Sequence, residues 1–282
     1  MPKRTWFIFM LFLGLVSVAT PTVAQTLLPY TIELDSKDLE QQGLELAQDS
    51  VQLARLQQFE LALARVQLAS ELAPKNPKVW FLLGTLYLQS KKLDPGIAAL
   101  QKAQSLDERD TNVLFSLGNA YFQKGEYQKS VTTLETGLNI KPDVPEALFD
   151  LGNAYFKLGN LDLAITQYEK AVKKDQKFWP AINNIGLVKY EKGDIQGAIK
   201  QWKTSITIDS KASEPMLALA VALYNQGDRA QGFSLAEKSL SIDVRYAEIT
   251  FLKENLWGDR LLADTKKFLD IPRLKDFIKQ QQ

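Results

Sequence analysis

The sequence predicts an all-α fold, a solenoid of about six stacked helical hairpins closed by a C-terminal helical cap. Three observations predict it. The pentapeptide Leu-Gly-Asn-Ala-Tyr stands at 117–121 and returns unchanged at 151–155. Its glycine belongs to a ladder of Gly84, Gly118, Gly152 and Gly186, continued by Ala220, in steps of 34 residues, and a constant period of that size marks stacked repeats. Gly125, Gly159, Gly193 and Gly227 all fall at position 15 of the period, where glycine suits the left-handed residue that ends a helix. An acid or amide follows each of them, as Glu126, Asn160, Asp194 and Asp228, and starts the second helix.

Taken in order, the chain opens with Lys3 and Arg4, an apolar run from Trp6 to Ala19, and then Thr20, Pro21, Thr22, Val23 and Ala24. That is the order of an export signal. As a helix, residues 6–24 would also reach roughly 28 Å, close to the thickness of a bilayer core. Residues 1–25 therefore read either as a signal peptide cleaved after Ala24 or Ala19, or as an uncleaved membrane anchor. Either way the basic end stays in the cytoplasm and the rest crosses. Residues 26–42 contain Pro29 and the acids Glu33, Asp35, Asp38 and Glu40 outside any repeat register, and read as a spacer.

The array spans 43–246, as a degenerate repeat at 43–76 and five more at 77–110, 111–144, 145–178, 179–212 and 213–246. Position 4 of the period is large and apolar in the five regular repeats, as Trp80, Leu114, Leu148, Ile182 and Met216. Positions 8 and 20 are small, which lets two helix backbones meet, so a leucine at Gly118 is expected to overpack its hairpin. The first repeat has Asp49 and Ser50 where Leu-Gly would stand, a drift that a wetter outer face on an unpaired end helix would explain. The repeat from Pro77 departs at the turn, with Lys91 in place of glycine. After Asp243 the register fails. Residues 247–282 keep helical spacing in Leu261, Leu262, Phe268 and Leu269 from Asp259, and again from Pro272 in Leu274, Phe277 and Ile278. They read as a solvating end cap, with a docking surface at Trp257, Phe268 and Phe277 as the alternative.

The succession Trp, Leu-Gly, Tyr, Ala, aromatic, Ala and Pro over 34 residues resembles the tetratricopeptide repeat family. The resemblance implies a right-handed solenoid of two-helix repeats whose first helices line a concave groove at positions 2, 5, 9, 12 and 13. Those sites hold Phe81, Phe115 and Phe149 at position 5, Asn119 and Asn153 at position 9, and Phe122, Phe156, Tyr190 and Tyr224 at position 12. Aromatic rings with two amides suit an extended peptide whose backbone bonds the amides while its apolar residues stack on the rings. The chaperone-binding members of the family clamp a C-terminal carboxylate with Lys at position 5; here that site is apolar or Asn.

Composition removes most catalytic schemes. With 34 basic and 33 acidic residues the net charge is +1, so no global field favours nucleic acid. The absence of Cys and His removes thiol nucleophiles, Ser-His-Asp relays, disulfides and nearly all zinc, iron–sulfur and haem ligation. No metal and no cofactor is expected. A non-catalytic protein-binding scaffold or assembly factor is the expected function; a carboxylate-based enzyme is the remote alternative. The anchor, the Leu-Gly-Asn-Ala-Tyr repeats and the tail of residues 256–265 together resemble cyanobacterial and chloroplast repeat proteins that serve photosystem and pigment-protein biogenesis, similar in layout to the one that interacts with protochlorophyllide oxidoreductase. That resemblance implies a membrane-protein or pigment-enzyme partner at a thylakoid or plasma membrane; the basic N-terminus puts the repeat domain on the translocated side, whereas the enzyme partner of the resembled protein works on the cytoplasmic side. The second expectation is a periplasmic or envelope helper for polysaccharide or pilus assembly, released to the periplasm or lumen after cleavage.

Overall fold

The structure, a computed structural model, describes residues 35–281. The expected signal or anchor, and the spacer as far as residue 34, lie outside the described residues. Six antiparallel hairpins follow one another: α1 (Ser36–Arg55) with α2 (Phe59–Leu72), α3 (Pro77–Gln89) with α4 (Leu93–Leu106), α5 (Thr111–Lys124) with α6 (Tyr127–Ile140), α7 (Pro145–Lys157) with α8 (Leu161–Lys174), α9 (Trp179–Glu191) with α10 (Ile195–Ile208), and α11 (Ser213–Asn225) with α12 (Arg229–Ile242). A short 3-10 turn at Val244–Ala247 leads to α13 (Ile249–Glu254), α14 (Asp259–Leu269) and α15 (Pro272–Gln281). Each second helix packs on the first helix of the next hairpin, the nearest-neighbour stacking of a solenoid. No strand occurs among the described residues.

Every hairpin closes on one contact. A Cβ built on Gly84 would lie 2.7 Å from Leu100 Cγ, on Gly118 2.6 Å from Leu134 Cγ, on Gly152 2.5 Å from the Tyr168 ring and on Gly186 2.5 Å from the Trp202 ring. Position 8 of the first helix thus receives the side chain at position 24 of the second, and Leu100, Leu134, Tyr168 and Trp202 are all fully buried. The two end repeats hold other residues at these positions, Ser50 and Val66 in the first and Ala220 and Ala236 in the last, all four buried. Ser50 satisfies its own hydroxyl by donating to the Ala47 carbonyl at 2.7 Å.

The turns repeat a left-handed residue whatever its type. Gly125, Gly159, Gly193 and Gly227 have φ between 78° and 98°, as position 15 requires. Gln57 and Lys91 occupy the same position with φ of 61° and 58°, so the departure at Lys91 changes the residue and not the turn. Of the four expected starts of second helices, Asp194 and Asp228 do cap, accepting from Gly197 N and Gln231 N. Glu126 and Asn160 make no side-chain cap; Glu126 instead pairs with Lys124 and Lys129.

Two ends differ from expectation. The first helix begins at Ser36, inside the segment read as spacer, and its Asp38 stands in the first turn, where a negative charge suits the helix dipole. The outer face of α1 is wet, as expected of an end helix, with Glu40, Gln41, Gln42, Glu45, Gln48 and Asp49 exposed; the larger apolar exposures lie in the turn and on α2. Leu56 is 68% and Leu61 58% exposed, and Leu68 is exposed at a position that holds Lys102, Thr136, Lys170, Thr204 and Lys238 in the other repeats. At the other end the cap folds back onto the first helices α9 and α11. Trp257, Phe268, Leu261 and Leu274 are buried there and Phe277 packs against the same cluster, which corrects the alternative of a docking surface. Each fully buried apolar side chain of that size contributes roughly 1.5–3 kcal/mol, so the cap is core rather than a loose cover. The N-terminus of α14 is capped from outside: Glu191 accepts from the backbone N–H of Arg260 at 3.1 Å and of Leu261 at 3.0 Å.

These contacts predict two opposite effects in urea unfolding. Gly152→Ala sets a methyl against the Tyr168 ring and is expected to cost about 1–3 kcal/mol; an unchanged midpoint would remove the close approach as the closing contact. Lys91→Gly relieves a left-handed non-glycine residue and is expected to stabilise by about 0.5–1 kcal/mol.

Candidate functional site

The first helices stand side by side because residues 34 apart repeat the same register, and polar side chains tie neighbours together at two levels. At one level, Gln67 donates to the Tyr87 hydroxyl at 2.7 Å, Gln101 to the Tyr121 hydroxyl at 2.8 Å, and Tyr155 donates to the Glu135 carboxylate. At the other, position 9 of one repeat meets position 6 of the next. Asn119 donates to Asp150 at 3.4 Å, and Asn184 donates to Asn153 at 3.0 Å. The tyrosines at position 11 and the amides at position 9 therefore space the repeats.

The nine residues expected to line the groove divide into three groups. Phe81, Phe115, Phe122, Phe149 and Phe156 are half-buried, each with one side on the scaffold. Phe115 lies over Gly137, Phe122 is 5.4 Å from the Tyr127 ring, and Phe149 meets Phe178 edge-on at 5.4 Å. Asn119 is half-exposed and also accepts from Gln123 at 2.6 Å. Asn153 is buried: its side-chain oxygen accepts from the Tyr168 hydroxyl at 2.8 Å as well as from Asn184, so that acceptor is spent inside the wall.

Tyr190 and Tyr224 are covered by the cap. The Tyr190 hydroxyl donates to Asp264 of α14 at 2.7 Å and accepts from Asn225 at 3.4 Å, leaving the residue 2% exposed. The Tyr224 ring lies 4.8 Å from Phe268. The groove is thus open over α3, α5 and α7 and filled over α9 and α11. Its open part holds a concavity of about 440 Å³ floored by Leu88 and Phe115 and walled by Thr85, Ser116, Asn119 and Asp150.

Residues 118–159 and 152–193 match the TPR repeat family model, and 77–110 match a second tetratricopeptide repeat model. The matched stretches are similar to tetratricopeptide repeats. No curated protein matches the chain. Among solved structures, the array is similar to PilW, a type IV pilus biogenesis factor, at 18% identity over 74% of this chain and 98% of that one, with a TM-score of 0.65. It is similar to Pseudomonas aeruginosa PilF at 14% identity, 82% and 98% coverage and a TM-score of 0.62. YrrB, a TPR protein with an unusual peptide-binding site, aligns at 18% identity, 72% and 97% coverage and a TM-score of 0.52. At these identities the likeness is one of fold.

The array also carries two acids that the position-by-position reading passed over. Burial pushes the Asp150 carboxyl up to about 6, against the hydrogen bond from Asn119, with nearby Glu146 adding to the rise. Burial likewise pushes Glu214 up to about 7, against hydrogen bonds from Trp257 and Asn183; the Trp257 indole donates to it at 2.9 Å. A reading of position 6 in register with position 9 would have found Asp150. Glu214 is invisible in the same way, because its partner Trp257 lies beyond the repeats. The two carboxylates stand on α7 and α11, with α9 between them. No group of three metal-ligating side chains occurs among the described residues.

Glu214 makes stability depend on pH. The folded chain holds its proton more tightly than the unfolded chain, whose carboxyl titrates near 4.5. The cost of ionising it is therefore absent below pH 4.5 and complete above pH 7. Glu214→Gln keeps an acceptor for Trp257 and removes that cost, so the variant is expected to gain on the order of 1–3 kcal/mol over the parent chain above that window and to match it below. Urea midpoints at the two ends of the window check this; a constant difference across them would remove Glu214 as the source.

Proposed function

We propose that the chain is a non-catalytic scaffold that holds an extended segment of a protein partner in the open half of its groove, between α3, α5 and α7. One observation carries the reading. The cap fills the groove over α9 and α11, while the remaining stretch presents Phe81, Phe115 and Phe122 together with the amides of Gln89, Asn119 and Gln123. Extended peptides need backbone partners and apolar surfaces for alternate side chains, and this stretch offers both.

The scaffold is proposed to act at a membrane. Residues 6–24 are long and apolar enough to span one as a helix, and the exposed Leu56, Leu61 and Leu68 belong to the hairpin that follows them in sequence. No helix among the described residues is long and apolar enough to cross a membrane, so a span would rest on residues 6–24 alone. An assembly factor for a membrane protein, in photosystem or pigment-protein biogenesis at a thylakoid, is the setting that the resemblance of the anchor and of residues 256–265 supports. The fold likeness to the pilus biogenesis factor PilW supports an envelope role as the second reading, and fractionation between thylakoid and envelope membranes separates the two.

Affinity capture from solubilised membranes tests the groove. The intact chain is compared with a variant carrying Phe115→Ala, Asn119→Ala and Phe122→Ala, shown to be folded by circular dichroism, and with Tyr190→Phe as a control in the filled half. The triple variant is expected to lose the main partner and the control to keep it. An unchanged partner set in the triple variant would move binding off the open groove.

A further inference from the structure

We infer that the concavity between α3, α5 and α7 is a specificity pocket for a lysine or arginine side chain of the bound peptide, with the Asp150 carboxylate as its charge partner. The inference rests on the peptide-groove reading and adds the residue that the groove selects.

Charge complementarity points there first. Thr85, Gln89, Ser116, Asn119 and Gln123 supply neutral polar groups, Leu88 and Phe115 supply apolar surface, and Asp150 is the one ionisable residue lining the concavity. Among the described residues Asp150 forms no ion pair, and its hydrogen-bond partner is Asn119 at 3.4 Å. Glu146, one turn earlier on α7, adds negative potential. Lys157, two turns later on the same helix, forms no ion pair with it among the described residues, and burial and the nearby charge of Lys253 lower the lysine's pKa.

The fold does not need this charge. Position 6 of the next repeat is Asn184, which completes the equivalent rung to Asn153 with a neutral amide at 3.0 Å. An Asn at 150 could meet Asn119 in the same way without the burial that pushes the carboxyl up to about 6. A half-buried carboxylate at the wall of an otherwise neutral pocket is instead matched to a cation that arrives with the ligand, where a charge-assisted hydrogen bond is strongest. The aliphatic stem of Lys or Arg would lie over Phe115 and Leu88, and about 440 Å³ is ample for one such side chain.

The test uses the full chain in detergent micelles and an array of extended peptides whose central position is fixed as Lys, Arg, norleucine or Glu. Lys and Arg peptides are expected to bind about tenfold more tightly than their norleucine counterparts, the size of one charge-assisted hydrogen bond. Asp150→Asn, which can keep a rung to Asn119, is expected to bring Lys, Arg and norleucine peptides within about twofold of one another. A parent chain that binds the peptides with no preference for Lys or Arg, or an Asp150→Asn variant that keeps the preference, would overturn the pocket and leave the groove reading standing. Failure of every peptide to bind would overturn both.

Discussion

The structure depends on a single steric exchange repeated along the chain: what position 8 gives up, position 24 takes. Glycine at 84, 118, 152 and 186 admits Leu100, Leu134, Tyr168 and Trp202 in turn. Where a larger residue replaces glycine the partner shrinks, as Ser50 with Val66 and Ala220 with Ala236. Because interiors are packed closely, a small residue at position 8 lets the two helices of each hairpin approach alike although the residues at position 24 differ. The shared spacing in turn puts the first helices in register, so that positions 5, 9 and 12 fall along one face.

Apolar packing and polar ties have different tasks in this arrangement. A buried Leu, Tyr or Trp contributes several times the roughly 1 kcal/mol of a neutral hydrogen bond, so the closing contacts hold each hairpin. The rungs from Gln67 to Tyr87, Gln101 to Tyr121 and Asn184 to Asn153 join residues of adjacent repeats. They fix the spacing of repeats that packing alone would leave free to slide. The same balance explains the cap. Leu261, Phe268 and Leu274 are buried against the last repeats, and the carboxylate of Glu191 and the hydroxyl of Tyr190 satisfy polar groups that docking would otherwise strand.

A groove closed at one end concentrates its chemistry at the other. Tyr190 and Tyr224 fit the expected pattern by position, yet both serve the cap. Asn153 fits it too, yet its oxygen is used by Tyr168 and Asn184. Phe81, Phe115, Asn119 and Phe122 remain, beside Asp150, whose hydrogen bond is the one from Asn119. Binding chemistry and scaffold chemistry are thus carried by the same positions, and the neighbour decides which role each residue takes.

The sequence by itself determined the helical repeats, the four glycine turns and the small residues at which paired helices meet, because each is local to one 34-residue period and recurs often enough to be seen. The two turns without glycine were not read from it: Lys91 stood as a departure, and the structure shows that Gln57 and Lys91 are left-handed all the same. The tertiary structure alone decided which part of the groove is open. That depends on where residues 259–269 return, and their contacts to Glu191, Tyr190 and Tyr224 span 44 to 74 positions along the chain with no period to mark them. It also decided the standing of Asp150 and Glu214. A carboxylate's environment is set by how many groups surround it and which of them donate, and neither follows from its position in a repeat.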